Sequence, residues 1–163
     1  VGRSKDANAF AWLRAAGDAE VCAAIGAVYR DVAEQIEARG PSCWASGRCC
    51  NFEAAGHRLY VTGLEAAYTL SRLERSLTAG ELESAVDRGG CPFQVKNLCG
   101  VHAIKPLGCR VYFCDRSAQS WQHALSEHAL AQIREIHERL AVPYEYGEWR
   151  GLLGRLIETA RAD

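Results

Sequence analysis

Seven of the eight cysteines fall into two groups: Cys43, Cys49 and Cys50, then Cys91, Cys99, Cys109 and Cys114. Both groups sit among glycines and prolines, where there is little apolar core for a thiol to fill. A fold built from this chain must therefore give two separate segments a chemical reason to exist. Adjacent Cys49 and Cys50 cannot easily bond each other, so a disulfide explains the first group poorly. At 163 residues the chain is long enough for a hydrophobic core without covalent staples. The start, VGRSKDANAFAWLRAAGDAE, lacks the apolar stretch of a secretory signal. A reducing, cytoplasmic compartment is expected, and clustered cysteines in such a place read first as metal ligands or redox groups. Cys22 is the exception. It lies beside Val21 and Ile25 on an apolar helix face, where a free cysteine packs as a small hydrophobe.

Around the cysteines the sequence is helical. Val21, Ile25, Val28, Tyr29, Val32 and Ile36 recur at three- and four-residue steps, which predicts a helix over 18–39, capped by Asp18 and stopped by Gly40-Pro41. Phe10 to Leu13 suggests a short helix or apolar arm before it. Leu59 to Val61 reads as a brief extended segment. Thr62-Gly63-Leu64-Glu65 is a capping-box pattern opening a helix to about Leu77, and Thr78-Ala79-Gly80-Glu81 opens another to about Asp87. Apolar periodicity predicts helices over 120–140 and 149–160, with Pro143 between them. Between Cys91 and Cys114 no helical period survives, and Pro92, Gly100, Pro106 and Gly108 punctuate the segment. The expected architecture is mainly α, with helices flanking an irregular cysteine-rich metal-binding loop region. One domain spans 1–163, and its cysteine-cluster region spans 42–115.

Charge sharpens the reading. From Arg88 to Cys114 there is no Asp or Glu, whereas Arg88, Lys96, Lys105 and Arg110 supply four cations in a chain of net charge −1. Ligating cysteines bind as thiolates, and nearby cations favour the thiolate and offset its charge. A bland alternative is a basic solvated loop. The near-neutral total charge gives no reason to expect nucleic acid, and no apolar run approaches membrane-spanning length.

The spacing bears on which metal. Zinc sites announce themselves with short Cys pairs, and only Cys109-x4-Cys114 falls in that window. An iron–sulfur cluster accepts more scattered ligands. Gly47, Gly90, Gly100 and Gly108 would let backbone N–H groups approach the sulfurs. These features favour an iron–sulfur cluster over zinc.

The combined motifs resemble the YkgJ-like cysteine-cluster family of zinc- or iron-chelating proteins. Cys43-x5-Cys49-Cys50 looks like its first block, with Ser46 in place of one cysteine. Cys91-Pro92-Phe93 looks like its C-P-F element, Cys99-Gly100-Val101-His102 like the next, and Lys105-Pro106 followed by Cys109-Arg110 closes the pattern. The similarity covers roughly 42–115. It implies metal ligation by Cys43, Cys49, Cys50, Cys91, Cys99, Cys109 and Cys114. The loss of the cysteine at 46 makes one cluster, of the [4Fe-4S] type, simpler than two. His102 and Ser46 are auxiliary candidates, as ligands or as tuners of the site.

Three functions compete. The first is a metalloprotein whose iron–sulfur cluster serves electron transfer, sensing or cluster delivery, with a protein or redox partner. The second is an interaction module in which zinc ties the long loop to the helices. The third is an enzyme, since the family likeness extends to cluster-bearing lysine N-methylases. No glycine-rich strand-turn-helix for a methyl donor is present, and no catalytic triad or carboxylate pair stands out.

Overall fold

In the computed structural model, residues 6–41, 46–112 and 116–162 are described. Cys43 and Cys114, two of the expected ligands, lie outside them. The chain is mainly helical. α1 (Ala7–Ala16) and α2 (Ala19–Arg39) meet at Asp18, whose carboxylate accepts from the Glu20 and Val21 N–H groups. Gly40, in the left-handed conformation, ends α2 where the sequence predicts. A 3₁₀ turn (Arg48–Cys50) and α3 (Phe52–Ala55) lead to β1 (Tyr60–Thr62). α4 (Gly63–Ser71) and α5 (Ala79–Asp87) both open on complete capping boxes, at Thr62 and Thr78. β2 (Gln94–Val95) and β3 (Leu98–Cys99) form a hairpin, followed by α6 (Leu107–Arg110). A 3₁₀ turn (Arg116–Ala118), α7 (Gln119–Arg139), β4 (Tyr146–Glu148) and α8 (Trp149–Arg161) complete the order.

α1 packs on α4 and α8, α2 on α7, and α5 on α8. Trp12 and Trp149 are buried in this core, with Ile25, Leu64, Ile133, Leu153 and Leu156. Gly63 permits the closest approach: a Cβ there would collide with the Trp12 indole. That indole N–H donates to the Pro143 carbonyl at 2.7 Å, which pins the α7–β4 connection over α1. No helix among the described residues is long and apolar enough to cross a membrane.

Three features depart from the sequence reading. The helix expected to reach Leu77 stops at Ser71, whose hydroxyl donates to the Tyr68 carbonyl at 2.9 Å. Thr78 must be extended to cap α5, so the intervening chain cannot stay helical, yet Leu73 and Leu77 still pack on the core. The Cys91–Cys114 segment is not without regular structure. Lys96 and Asn97 both take positive φ, the two-residue turn that matches hairpin twist, and α6 follows Pro106. Finally, β4 pairs antiparallel with β1, Tyr60 opposite Glu148. No period-2 run announced it, because three residues are too few to show one.

His137 gives the fold a pH dependence. It is 2% exposed, its Nδ1–H donates to the Val142 carbonyl at 3.1 Å, and Nε2 has no partner. Burial is the main reason its pKa falls below the ordinary histidine value. The unfolded chain takes up a proton that the folded state resists. The associated stability is complete above the unfolded pKa of about 6.5 and is lost as pH falls below it, until the folded pKa is reached. Urea midpoints measured at intervals through this range should drop on the acid side. His137→Gln, which keeps a donor for Val142, should flatten the drop.

Candidate functional site

The turn carrying Cys49 and Cys50 is docked on the β2–β3 hairpin by amide hydrogen bonds. The Asn97 side chain donates to the Ser46 carbonyl at 3.0 Å, and its oxygen accepts from Asn51 at 3.3 Å and Gln94 at 3.1 Å. Gln94 also reaches the Gly47 carbonyl at 3.4 Å. Gly47 has φ 74, and a Cβ on it would run into the Asn97 amide. On the other side the Cys91 N–H donates to the Cys50 carbonyl at 2.8 Å, and the Glu53 N–H to the Gly89 carbonyl at 2.9 Å. Backbone and amide bonds thus bring the two cysteine segments together.

Their thiols act on one another electrostatically, with Cys50 linked to Cys49, Cys91 and Cys99. The Cys50 pKa is pushed up, chiefly by Cys49 and then by Cys91 and Cys99. The other three move down. Cys49 and Cys99 each fall to about 6, first because Cys50 donates to them, against the opposing effect of burial. The Lys105 ammonium assists both. Cys91 is lowered mainly by Cys50, then by the Phe93 N–H and the Trp149 indole. Cys109, at the centre of α6, is pushed up by burial first and then by the negative charge of Cys91 and Cys99. Five of the seven expected ligands therefore share one electrostatic site.

Glu65 fixes where α6 lies. Beyond capping α4, its carboxylate accepts from the Leu107 N–H at 2.8 Å and the Tyr29 hydroxyl at 2.9 Å. Of the four cations in the acid-free segment, Lys105 acts on the thiols by charge. Arg88 donates to the Cys91 carbonyl at 3.0 Å. Arg110 donates to the Lys105 and Ala103 carbonyls and lies over the Tyr29 ring.

The auxiliary candidates fare differently. His102 is exposed, and its pKa is lowered first by Lys105, then by burial and by Arg110. It is not among the groups that shift the thiols. The Ser46 hydroxyl accepts from the Arg48 N–H at 3.3 Å. Cys22 donates to the Ala16 carbonyl at 3.1 Å, apart from the others, as its place on a helix face predicts. The six described cysteines are all free thiols. Sequence reasoning passed over Asn97, Gln94 and Trp149, and read Glu65 only as the cap of α4. For Asn97 the signal was present, a two-residue Lys-Asn turn between apolar Val95 and Leu98.

The donor chemistry suits a soft or borderline metal: several thiols, a cation beside them, and no carboxylate in the Arg88–Cys114 segment. The buried Trp149 indole N–H has no full hydrogen bond. Among the described residues, however, no three Cys, His, Asp or Glu side chains are grouped so that they could hold a metal ion. Around a tetrahedral zinc with bonds of about 2.3 Å, ligand sulfurs stand about 3.8 Å apart, so admitting an ion asks the cysteine segments to rearrange. No family model matches the chain, and no curated protein and no solved structure matches it.

Proposed function

We propose that the chain is a metal-binding protein whose centre is held by thiolates from its two cysteine segments, with an iron–sulfur cluster as the first reading. Such a cluster, when bound, supplies one-electron chemistry, suited to electron transfer, sensing or cluster delivery. The observation that carries the proposal is that backbone and amide bonds bring the two cysteine segments together, so that Cys49, Cys50, Cys91, Cys99 and Cys109 act on one another with Lys105 beside them. Against the sequence expectation, Cys50 and Cys91 are buried in the hydrophobic core and Cys49, Cys99 and Cys109 pack against it, but packing does not call for the lysine beside them. The YkgJ-like motifs over 42–115 point the same way, and Cys43 and Cys114 complete the proposed ligand set.

A second reading is a structural zinc ion in an interaction module, since a single ion needs less rearrangement of the cysteine segments than a cluster does. Elemental analysis with a visible spectrum on anaerobically purified protein separates the two. Iron and inorganic sulfide, with broad absorption bleached by dithionite, are expected. Colourless protein with stoichiometric zinc would select the second reading, and then a chelator should destabilise the fold. Protein that takes up neither metal would refute both.

A further inference from the structure

A cavity of about 870 Å³ opens between α5, the 72–78 connection and the 100–104 turn, and no cysteine lines it. Its size lies within the range of small-molecule sites, about 300–1,000 Å³. One wall is apolar, made by Leu77, Phe93, Val101 and Ile104. Phe93 and Val101 are buried members of the core, so this wall is the core's outer surface. α5 turns a polar stripe to the cavity, Gly80, Ser84 and Arg88 at four-residue steps, while Leu82 and Ala85 are buried.

The cations of the lining are held in two ways. Arg75 is paired with Glu81 at 2.6 Å, and the same carboxylate is further occupied in capping α5. Arg72 and Arg88 are fixed by neutral partners instead. The Arg72 guanidinium lies 3.8 Å from the Tyr68 ring centroid and donates to the Ser71 hydroxyl at 3.1 Å. Arg88 donates to the Cys91 carbonyl at 3.0 Å. Neither forms an ion pair among the described residues. The remaining acid of the lining, Glu74, is exposed. A guanidinium carries five N–H donors in a planar fork, so both arginines keep donors to offer.

We propose that this cavity binds a small organic acid, its carboxylate or phosphate paired with Arg72 and Arg88 and its apolar body lying over Phe93, Val101 and Ile104. The guanidinium fork matches either acid, and a side chain fixed in advance loses little rotamer freedom on binding. A neutral apolar molecule would leave the two charges unused, and a bare inorganic anion would leave the apolar wall wet. The inference stands apart from the metal-binding reading, because none of the proposed ligands lines the cavity.

Calorimetric titration of the protein as purified with decanoate and with decyl phosphate tests it, both kept below the concentration at which they form micelles. At least one should bind at one molecule per chain, and which one binds identifies the acid. Decanol, which lacks the charge, and acetate, which lacks the body, should bind at least about tenfold more weakly. Replacing both arginines, Arg72→Gln with Arg88→Gln, should weaken binding of the acid about 10- to 100-fold. Ser84→Phe, on an exposed position of α5, should block the cavity with the arginines intact. Decanol binding as tightly as the acids, full affinity in either variant, or no binding of either acid would overturn the proposal. Because loss of Arg88 could disturb the Cys91 segment, the unmutated protein gives a second measurement. The Nε–H resonances of Arg72 and Arg88 should shift on adding the acid, and resonances that stay in place would overturn the proposal. None of these outcomes bears on metal content, so failure here leaves the metal-binding reading standing.

Discussion

Cys50→Ser is expected to abolish metal binding, with metal per chain falling below about a tenth of the wild-type value. Cys50 is the thiol on which Cys49, Cys91 and Cys99 all act, and it is buried. Serine keeps nearly the same size and a hydrogen-bonding hydroxyl, so the fold has little reason to change. What it removes is the soft donor, because a neutral hydroxyl is a weak ligand for the metals that thiolates favour. Cys22→Ala is the control. That thiol donates to the Ala16 carbonyl, away from the cluster, so its loss should cost about 1 kcal/mol and leave metal content intact. Elemental analysis after gel filtration measures both variants. Equal metal in Cys50→Ser and Cys22→Ala would contradict the assignment. A thermal midpoint that falls on adding chelator to wild type, and stays still in Cys50→Ser, would support it independently.

The second large effect belongs to Glu65. Its buried carboxylate accepts from the Thr62 N–H and hydroxyl, the Tyr29 hydroxyl and the Leu107 N–H. Glu65→Ala leaves these donors buried without an acceptor, and a loss of about 3–5 kcal/mol is expected by urea denaturation. Glu65→Gln should lose less, because its carbonyl oxygen can still accept from Tyr29 and Leu107 while its amide faces the Thr62 donors. The two variants also separate fold from site. Leu107 begins the helix carrying Cys109, so loosening its N-terminus should weaken metal uptake even under conditions where Glu65→Gln remains folded.

Much of the helical frame could be read from local chemistry. Asp18 and Gly40 bracket α2, and the threonine–glutamate pairs at 62–65 and 78–81 start α4 and α5, because a cap is a contact among near neighbours. Helix ends set by distant partners could not be read that way. The stop at Ser71 follows from the geometry that Thr78 needs, and the periodic Leu73 and Leu77 conceal it. The β1–β4 pairing joins residues more than 80 positions apart, and no local pattern encodes it. The site divides in the same manner. Cysteine grouping and the acid-free stretch mark the thiols, but the residues that place them, Asn97 through amide bonds and Glu65 through α6, act across the fold. His102 shows the converse. Its position between Cys99 and Cys109 recommends it, yet its side chain is exposed.

The central claim is that sulfurs from both cysteine segments surround one inorganic centre. X-ray absorption at the metal edge, on protein purified without oxygen, tests it most directly. The account predicts a first coordination shell made of sulfur, lost in Cys50→Ser. A shell of nitrogen and oxygen, or protein whose thiols are all titratable because no metal occupies them under any loading condition, would contradict it.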